Sequence, residues 1–164
     1  MTSFKKAAEA DIQLIRELAE QSWNSAYAEL LSQEQIDYML SEMYSAEEIS
    51  SHLQNPNYHY YLIFNEDTAV GFIGFEHHYE PETTKLHRIY LIDRAKGKGC
   101  GKAALNFLKK QVSLNADHRI ILNVNKENKA RGVYESQGFT IYKEDVFDIG
   151  NGFVMDDYLM EFKL

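Results

Sequence analysis

Seven consecutive residues, Lys96-Gly97-Lys98-Gly99-Cys100-Gly101-Lys102, have the composition of an anion cradle. An apolar run, Leu86 to Ile92, leads into them, and a helical apolar pattern follows. Glycines let the backbone N–H groups approach an anion closely, the helix N-terminus adds partial positive charge, and the lysines add full charges. A phosphate-bearing ligand is the expected occupant. Two nucleotide loops are tested and fail. The triphosphate loop needs Gly, four residues, then Gly-Lys-Ser/Thr, but Lys96 stands at the first glycine position and Ala103 follows Lys102. The dinucleotide fingerprint Gly-x-Gly-x-x-Gly would place its last glycine at Lys102.

Charge is distributed unevenly. The chain of 164 residues carries a net charge of −8, which disfavours a general nucleic-acid binder. Residues 94–110 nevertheless contain Arg94, Lys96, Lys98, Lys102, Lys109 and Lys110 and no acidic residue. A basic island in an acidic body suits an anionic ligand at one place and a cationic substrate at another. Lys109 and Lys110 read as solvated charge on a helix face. Among candidate proton carriers, His87 stands on a central strand, with Glu76 and His77 on the strand before it. Strand alternation is expected to put Glu76 and His78 on one face and His77 on the other. Adjacent histidines on opposite faces do not make a metal site with His87. Cys100, the only cysteine, excludes an internal disulfide and fits a reducing, cytoplasmic setting. It reads as a packing residue, since nothing beside it would activate a thiol. Glu144, Asp145, Asp148, Asp156 and Asp157 flank the last hairpin; they either recruit a cationic amine or form a solvated edge that discourages sheet pairing.

The elements that must position these groups are legible from periodicity. Phe4 to Ala7 reads as a first strand. Ile12, Ile15, Leu18 and Ala19 recur at helical spacing after Asp11, a candidate N-cap, and Trp23 and Tyr27 extend the pattern. Ser32 with Gln35, and Ser45 with Glu48, carry capping-box signals for two more helices, and Asn55-Pro56-Asn57 ends the second. Tyr58 to Phe64, Val70 to Tyr79 and Leu86 to Ile92 read as strands, with Gly71 and Gly74 marking a bulge or a close backbone approach. Gly101 to Leu114 is helical, Arg119 to Val124 a strand, and Asn128 to Gln137 a short helix stopped by Gly138. Phe139 to Asp148 and Phe153 to Phe162 form a hairpin about Asn151-Gly152. The expected whole is one mixed α/β domain over residues 1–164, large enough to bury a core. The longest apolar runs are too short to span a bilayer, and the N-terminus has no secretory apolar stretch.

Lys96-Gly97-Lys98-Gly99-Cys100-Gly101 after a strand resembles the Gln/Arg-x-x-Gly-x-Gly/Ala motif of the GNAT N-acetyltransferases, with Lys at the Gln/Arg position. Asn128-Lys129-Ala130 and Tyr134-Glu135-Ser136-Gln137-Gly138-Phe139 resemble that family's second motif. The order of elements matches over nearly the whole chain. The resemblance implies a mixed central sheet of about seven strands flanked by about four to five helices. It implies acetyl-CoA as cofactor, released as CoA. The pyrophosphate would lie on Gly97, Lys98, Gly99, Cys100, Gly101 and Lys102, the pantetheine arm on the backbone at Leu91, and the thioester between Asn128 and Tyr134. Tyr134 is nominated as the general acid that protonates the leaving thiolate; His87 is the candidate base.

The expected reaction is direct transfer to a primary amine. The carboxy-terminal half most resembles bacterial members acting on small cationic amines such as polyamines. Two rivals stand beside it, a protein or peptide N-acetyltransferase and a CoA-binding module without catalysis. The segment from Trp23 to Asn55 is expected to build the acceptor wall. The partners expected are a small-molecule amine, with no nucleic acid and no membrane, and a second copy of the chain, since members of the family are often dimers.

Overall fold

Apolar residues recurring at a helical period in the first third of the chain, and the aromatic, β-branched runs that follow, fold as their spacing dictates. The computed structural model describes residues 1–164. It orders them as β1 (Thr2–Lys6), α1 (Ile12–Ala26), α2 (Gln33–Met43), α3 (Ala46–Gln54), β2 (Tyr58–Asn65), β3 (Thr68–Glu80), β4 (Thr83–Leu91), α4 (Cys100–Leu114), β5 (Arg119–Asn125), α5 (Ala130–Ser136), β6 (Thr140–Gly150) and β7 (Phe153–Lys163). The seven strands form one sheet in the order β1-β2-β3-β4-β5-β7-β6. The count of strands and helices is the expected one.

Every strand pair is antiparallel except β4 and β5, which α4 connects as a crossover. That parallel ladder is short. It runs from Thr83–Arg119 to Leu86–Leu122 and stops, although β4 continues to Leu91 and β5 to Asn125. The two strands therefore part in the middle of the sheet. A register shift between Gly74 and Phe75 bends β3 against β4 at the same level, so that His87 is the extra residue between Leu86 and Arg88. Gly71 shows why a glycine was needed nearby. A Cβ there would lie 2.2 Å from the Tyr90 carbonyl oxygen, a backbone atom that cannot step aside.

Helices cover both faces. Trp23 of α1 packs on Tyr90, with ring centroids 5.6 Å apart, and His52 of α3 stacks on Tyr58 at 4.4 Å. On the opposite face Phe107 of α4 stacks on Phe4 at 4.3 Å and meets Tyr61 edge-on. Burial of Ile15, Ile49, Phe72, Phe75, Leu108 and Ile120 between these layers is the main stabilising term.

Several local expectations are corrected. Asp11 does not cap α1; its carboxylate accepts from the Ala8 N–H at 2.9 Å, closing the turn that precedes the helix. Ser32 and Ser45 do cap α2 and α3, accepting from Gln35 and Glu48 N–H at 3.1 Å each. The reciprocal halves are spent elsewhere, Gln35 on the Val154 carbonyl and Glu48 on His52. Lys109 is not a solvated charge. Its Nζ donates to the Gln137 carbonyl at 2.7 Å and sits 4.1 Å from the Phe162 ring centroid, tying α4 to the end of α5. The first strand is Thr2–Lys6 rather than Phe4 to Ala7, and α5 starts at Ala130, two residues after Asn128.

Candidate active site

The parted strands leave a cleft of about 640 Å³ in the sheet, walled by Ser22 and residues 25–30, by Leu86–Leu91 of β4, by Leu122–Val124 of β5 and by Glu127–Ala130 with Val133 and Tyr134. Past Leu86 the side of β4 that would face β5 has no strand partner, so its backbone groups are free to pair with an extended ligand. Leu91 lies on this edge and Gly101 at its end, both lining the cleft.

The glycine loop opens onto the start of α4. Gly97 and Gly99 both have φ +75, a conformation that L side chains rarely adopt, and a Cβ on either would meet nothing within 4 Å. The space above them is open. The N–H groups of Gly97, Gly99, Cys100, Gly101 and Lys102 have no backbone acceptor, and no side chain caps the helix. This is an unsatisfied, positively polarised set of donors, and the residues fit a diphosphate. The Cys100 side chain is turned inward and buried, receiving the Thr2 hydroxyl at 3.6 Å, so this residue offers only its backbone to the loop. Lys96 is exposed and paired with Asp93 at 2.9 Å.

Asn128 and Tyr134 stand on the β5 side. The Asn128 Oδ1 accepts from the Ala130 N–H at 2.9 Å and so starts α5, while its Nδ2 donates to the Tyr27 hydroxyl at 3.2 Å. Tyr134 is buried against Phe139, and burial pushes its phenol well above the ordinary value. Burial keeps this phenol protonated, as a proton donor must be, although it also makes the phenol a weaker acid than a free tyrosine. Tyr27, within the segment expected to build the acceptor wall, joins the two walls. It contacts Asn128, packs at a tilt on Trp23 with ring centroids 4.6 Å apart, and lies near enough to Tyr134 to raise that phenol further.

On the β4 side His87 lines the cleft, donating from Nε2 to the Glu76 carboxylate at 3.0 Å and stacking on Tyr58 at 4.9 Å. Burial, then the charges of Lys85 and Arg88, push its imidazole down to about 3. The ring is therefore neutral, the contact with Glu76 is a hydrogen bond rather than an ion pair, and Nδ1 is left as an acceptor. Arg88 beside it is buried, donates to the Met43 carbonyl at 2.8 Å and lies 4.3 Å from the Tyr44 ring centroid.

Strand alternation misassigned the other histidines. His78 has φ +57 within an irregular end of β3, which brings it round beside His77. The His78 Nδ1 contacts Asp117 at 2.8 Å, and His77 Nδ1 contacts Thr84, whose hydroxyl donates to the same carboxylate at 2.7 Å. Both histidines are thus held in one network around Asp117, away from the cleft lining. Asp157 is corrected as well. Its sequence neighbours group it with a solvated edge, but it is 6% exposed, and its Oδ1 has no hydrogen-bond partner. Asp156, Glu144 and Asp145 are the solvated ones, paired with Lys126 and Lys143.

Comparison with known proteins agrees with this geometry. Residues 27–160 match the acetyltransferase (GNAT) domain family. A spermidine N(1)-acetyltransferase of Thermoplasma acidophilum is 26% identical over 160 residues, 93% of this chain and 94% of its own. The crystal structure of the PaiA N-acetyltransferase of T. acidophilum in complex with coenzyme A has a TM-score of 0.85 at 24% identity, covering 100% of this chain and 99% of that one. A chimera of the spermidine N-acetyltransferase SpeG of Vibrio cholerae with hSSAT has a TM-score of 0.75 at 20% identity, covering 99% of this chain and 95% of that one. These structures share the fold of this chain.

Proposed function

The chain belongs to the GNAT acetyltransferase family of acetyl-CoA-dependent N-acetyltransferases, and from that premise we propose that residues 1–164 act as one domain transferring acetyl directly to a primary amine of a small cationic molecule. The observation that carries this reading is the parting of β4 and β5 beside Tyr134, with the unsatisfied glycine loop next to the cleft-lining Gly101. Glu29 and Glu127 line the cleft. Polyamines stand first among cationic amines because a relative aligned over 93% of the chain is a spermidine acetyltransferase.

Backbone N–H groups of Gly97 and of Gly99 to Lys102 would hold the diphosphate, with Lys98 and Lys102 adding charge. The free edge at Leu91 would pair with the pantetheine arm. Acetyl-CoA, when bound, supplies a thioester whose acetyl carbon the amine attacks. Asn128 and Tyr27 brace the wall beside it. The Tyr134 hydroxyl gives its proton to the departing sulfur. His87, with one nitrogen committed to Glu76, presents Nδ1 as a hydrogen-bond acceptor that orients the incoming amine; held at about 3 it is too weak a base to hold the amine's proton, which leaves to solvent.

The test begins with thermal unfolding in acetyl-CoA, ATP and NADH. A hundredfold excess over Kd adds about 2.7 kcal/mol, so the midpoint rises by several degrees with acetyl-CoA alone. Release of CoA thiol is then followed with spermidine and with a peptide bearing a free N-terminus. Faster turnover of the peptide would replace the small-amine reading with the protein-acetylating one. Tight binding without turnover of either would leave a CoA-binding module.

A further inference from the structure

Asp157 is a buried carboxylate that forms no salt bridge, and its Oδ1 has no hydrogen-bond partner; the only cation whose charge acts on it is Lys85. It lies on β7 opposite Asn125 of β5, so the two side chains share the sheet face covered by α1–α3. Lys85 of β4 is on that face too, in register with Ile121. Each charge near Asp157 is otherwise engaged. Lys126 is held by Glu144 and Asp156, and Lys143 by Asp145, the residue facing Asp157 from β6. Lys85 lies 4.8 Å from the Tyr79 ring centroid, and the Asn125 side-chain oxygen accepts from Glu127 N–H. A buried carboxylate oxygen without a donor is expensive, and folded proteins keep few of them.

Asp157 is not itself part of the cleft lining but stands directly behind it. Tyr27, a cleft-lining residue, is close enough for the Asp157 charge to raise its phenol, and Glu127 and Asn128 follow closely on the Asn125 that faces Asp157. We infer that Asp157 is the specificity-determining residue for the acceptor, holding an ammonium group that remains protonated while a second amino group of the same molecule is acetylated. The choice of nitrogen follows from charge. A carboxylate ion pair favours the protonated amine, whereas the attacking nitrogen must be uncharged. The acceptor class is therefore a diamine or longer polyamine rather than a monoamine. Burial, then the adjacent Asp156, push the Asp157 carboxyl up to about 6 against the pull of Lys85. A cationic ligand reverses that direction and is bound with release of a proton at weakly acidic pH. This inference rests on the acetyl-transfer reading above.

The experiment measures steady-state acetylation of 1,4-diaminobutane, spermidine and 1-aminobutane by the full chain and by Asp157→Asn, which keeps the shape and removes the charge. In the native protein kcat/KM favours the diamines over 1-aminobutane. In Asp157→Asn the KM for the diamines rises about tenfold or more, the usual value of a hydrogen bond to a charged group. The monoamine loses less, so the preference collapses. Asp157→Glu restores part of it. An equal acetyl-CoA-induced rise in unfolding midpoint in both proteins shows that the variant is folded. A retained diamine preference overturns the inference. So does an equal fall in kcat for all three amines, which would place Asp157 on the reacting nitrogen. If the native protein acetylates none of them while binding acetyl-CoA, the small-amine reading itself fails.

Discussion

Replacing Asp157 by Asn tests the desolvated carboxylate without any substrate. The ordinary value of an aspartate, 3.8, is pushed up to about 6 in the folded protein. The folded state therefore binds a proton more tightly than the unfolded chain does, and ionising Asp157 costs stability. The sign follows. Well below pH 3.8 both states are protonated and the cost is absent. It grows as pH rises between about 4 and 6 and is complete above 6. In free energy that rise is about 3 kcal/mol at most, and partial access of solvent to the carboxylate reduces this to about 1–2 kcal/mol. Asp157→Asn has no such cost. The variant should therefore gain about 1–2 kcal/mol relative to the native protein on going from pH 4 to pH 7.5. Urea unfolding of both proteins at several pH values reads the difference directly, and at neutral pH the midpoint temperature of the variant should be higher by several degrees. A difference that stays flat across this range, or a variant that loses ground as pH rises, would show that the carboxylate is solvated or paired and that no ammonium site has been built around it.

Tyr134→Phe removes the proton donor and keeps the ring against Phe139; kcat should fall about hundredfold or more while the acetyl-CoA-induced thermal shift persists, and turnover at the native rate would reassign the acid. Gly71→Ala places a methyl 2.2 Å from the Tyr90 carbonyl oxygen and 2.8 Å from a Leu91 methyl, so thermal unfolding should report a loss of roughly 2–3 kcal/mol. Gly99→Ala meets open space but holds φ +75; it should cost about 1–2 kcal/mol of stability and weaken acetyl-CoA binding measured by calorimetry, and an unaltered Kd would separate the loop from the diphosphate. His87→Gln keeps a donor for Glu76 but removes the imidazole acceptor, so kcat/KM for the amine should fall while acetyl-CoA affinity holds; an unchanged kcat/KM would put the group that orients the amine elsewhere.

Local patterns determined a good deal of this protein. Turn chemistry at Asn151-Gly152, the serine caps at Ser32 and Ser45, and strand runs such as Tyr58–Asn65 depend on neighbours in the chain, and each forms where its residues put it. The glycine–lysine loop was legible for the same reason, since its donors come from consecutive backbone atoms. With Asn128 and Tyr134, it pointed to the family before any tertiary contact was known. What the chain could not show by itself was which side chains are left without partners. Asp157 and Asp156 are adjacent acidic residues, yet one lies in salt bridges at the surface and the other is buried beside a cleft. His77 and His78 lost their alternation to a positive φ that no local rule foretold. Tyr27 became a link between two walls only because β4 and β5 part after Leu86 and Leu122. Burial and pairing are properties of the assembled sheet, set by strands distant in sequence, so the tertiary structure alone decided which of many acidic and aromatic residues face the chemistry.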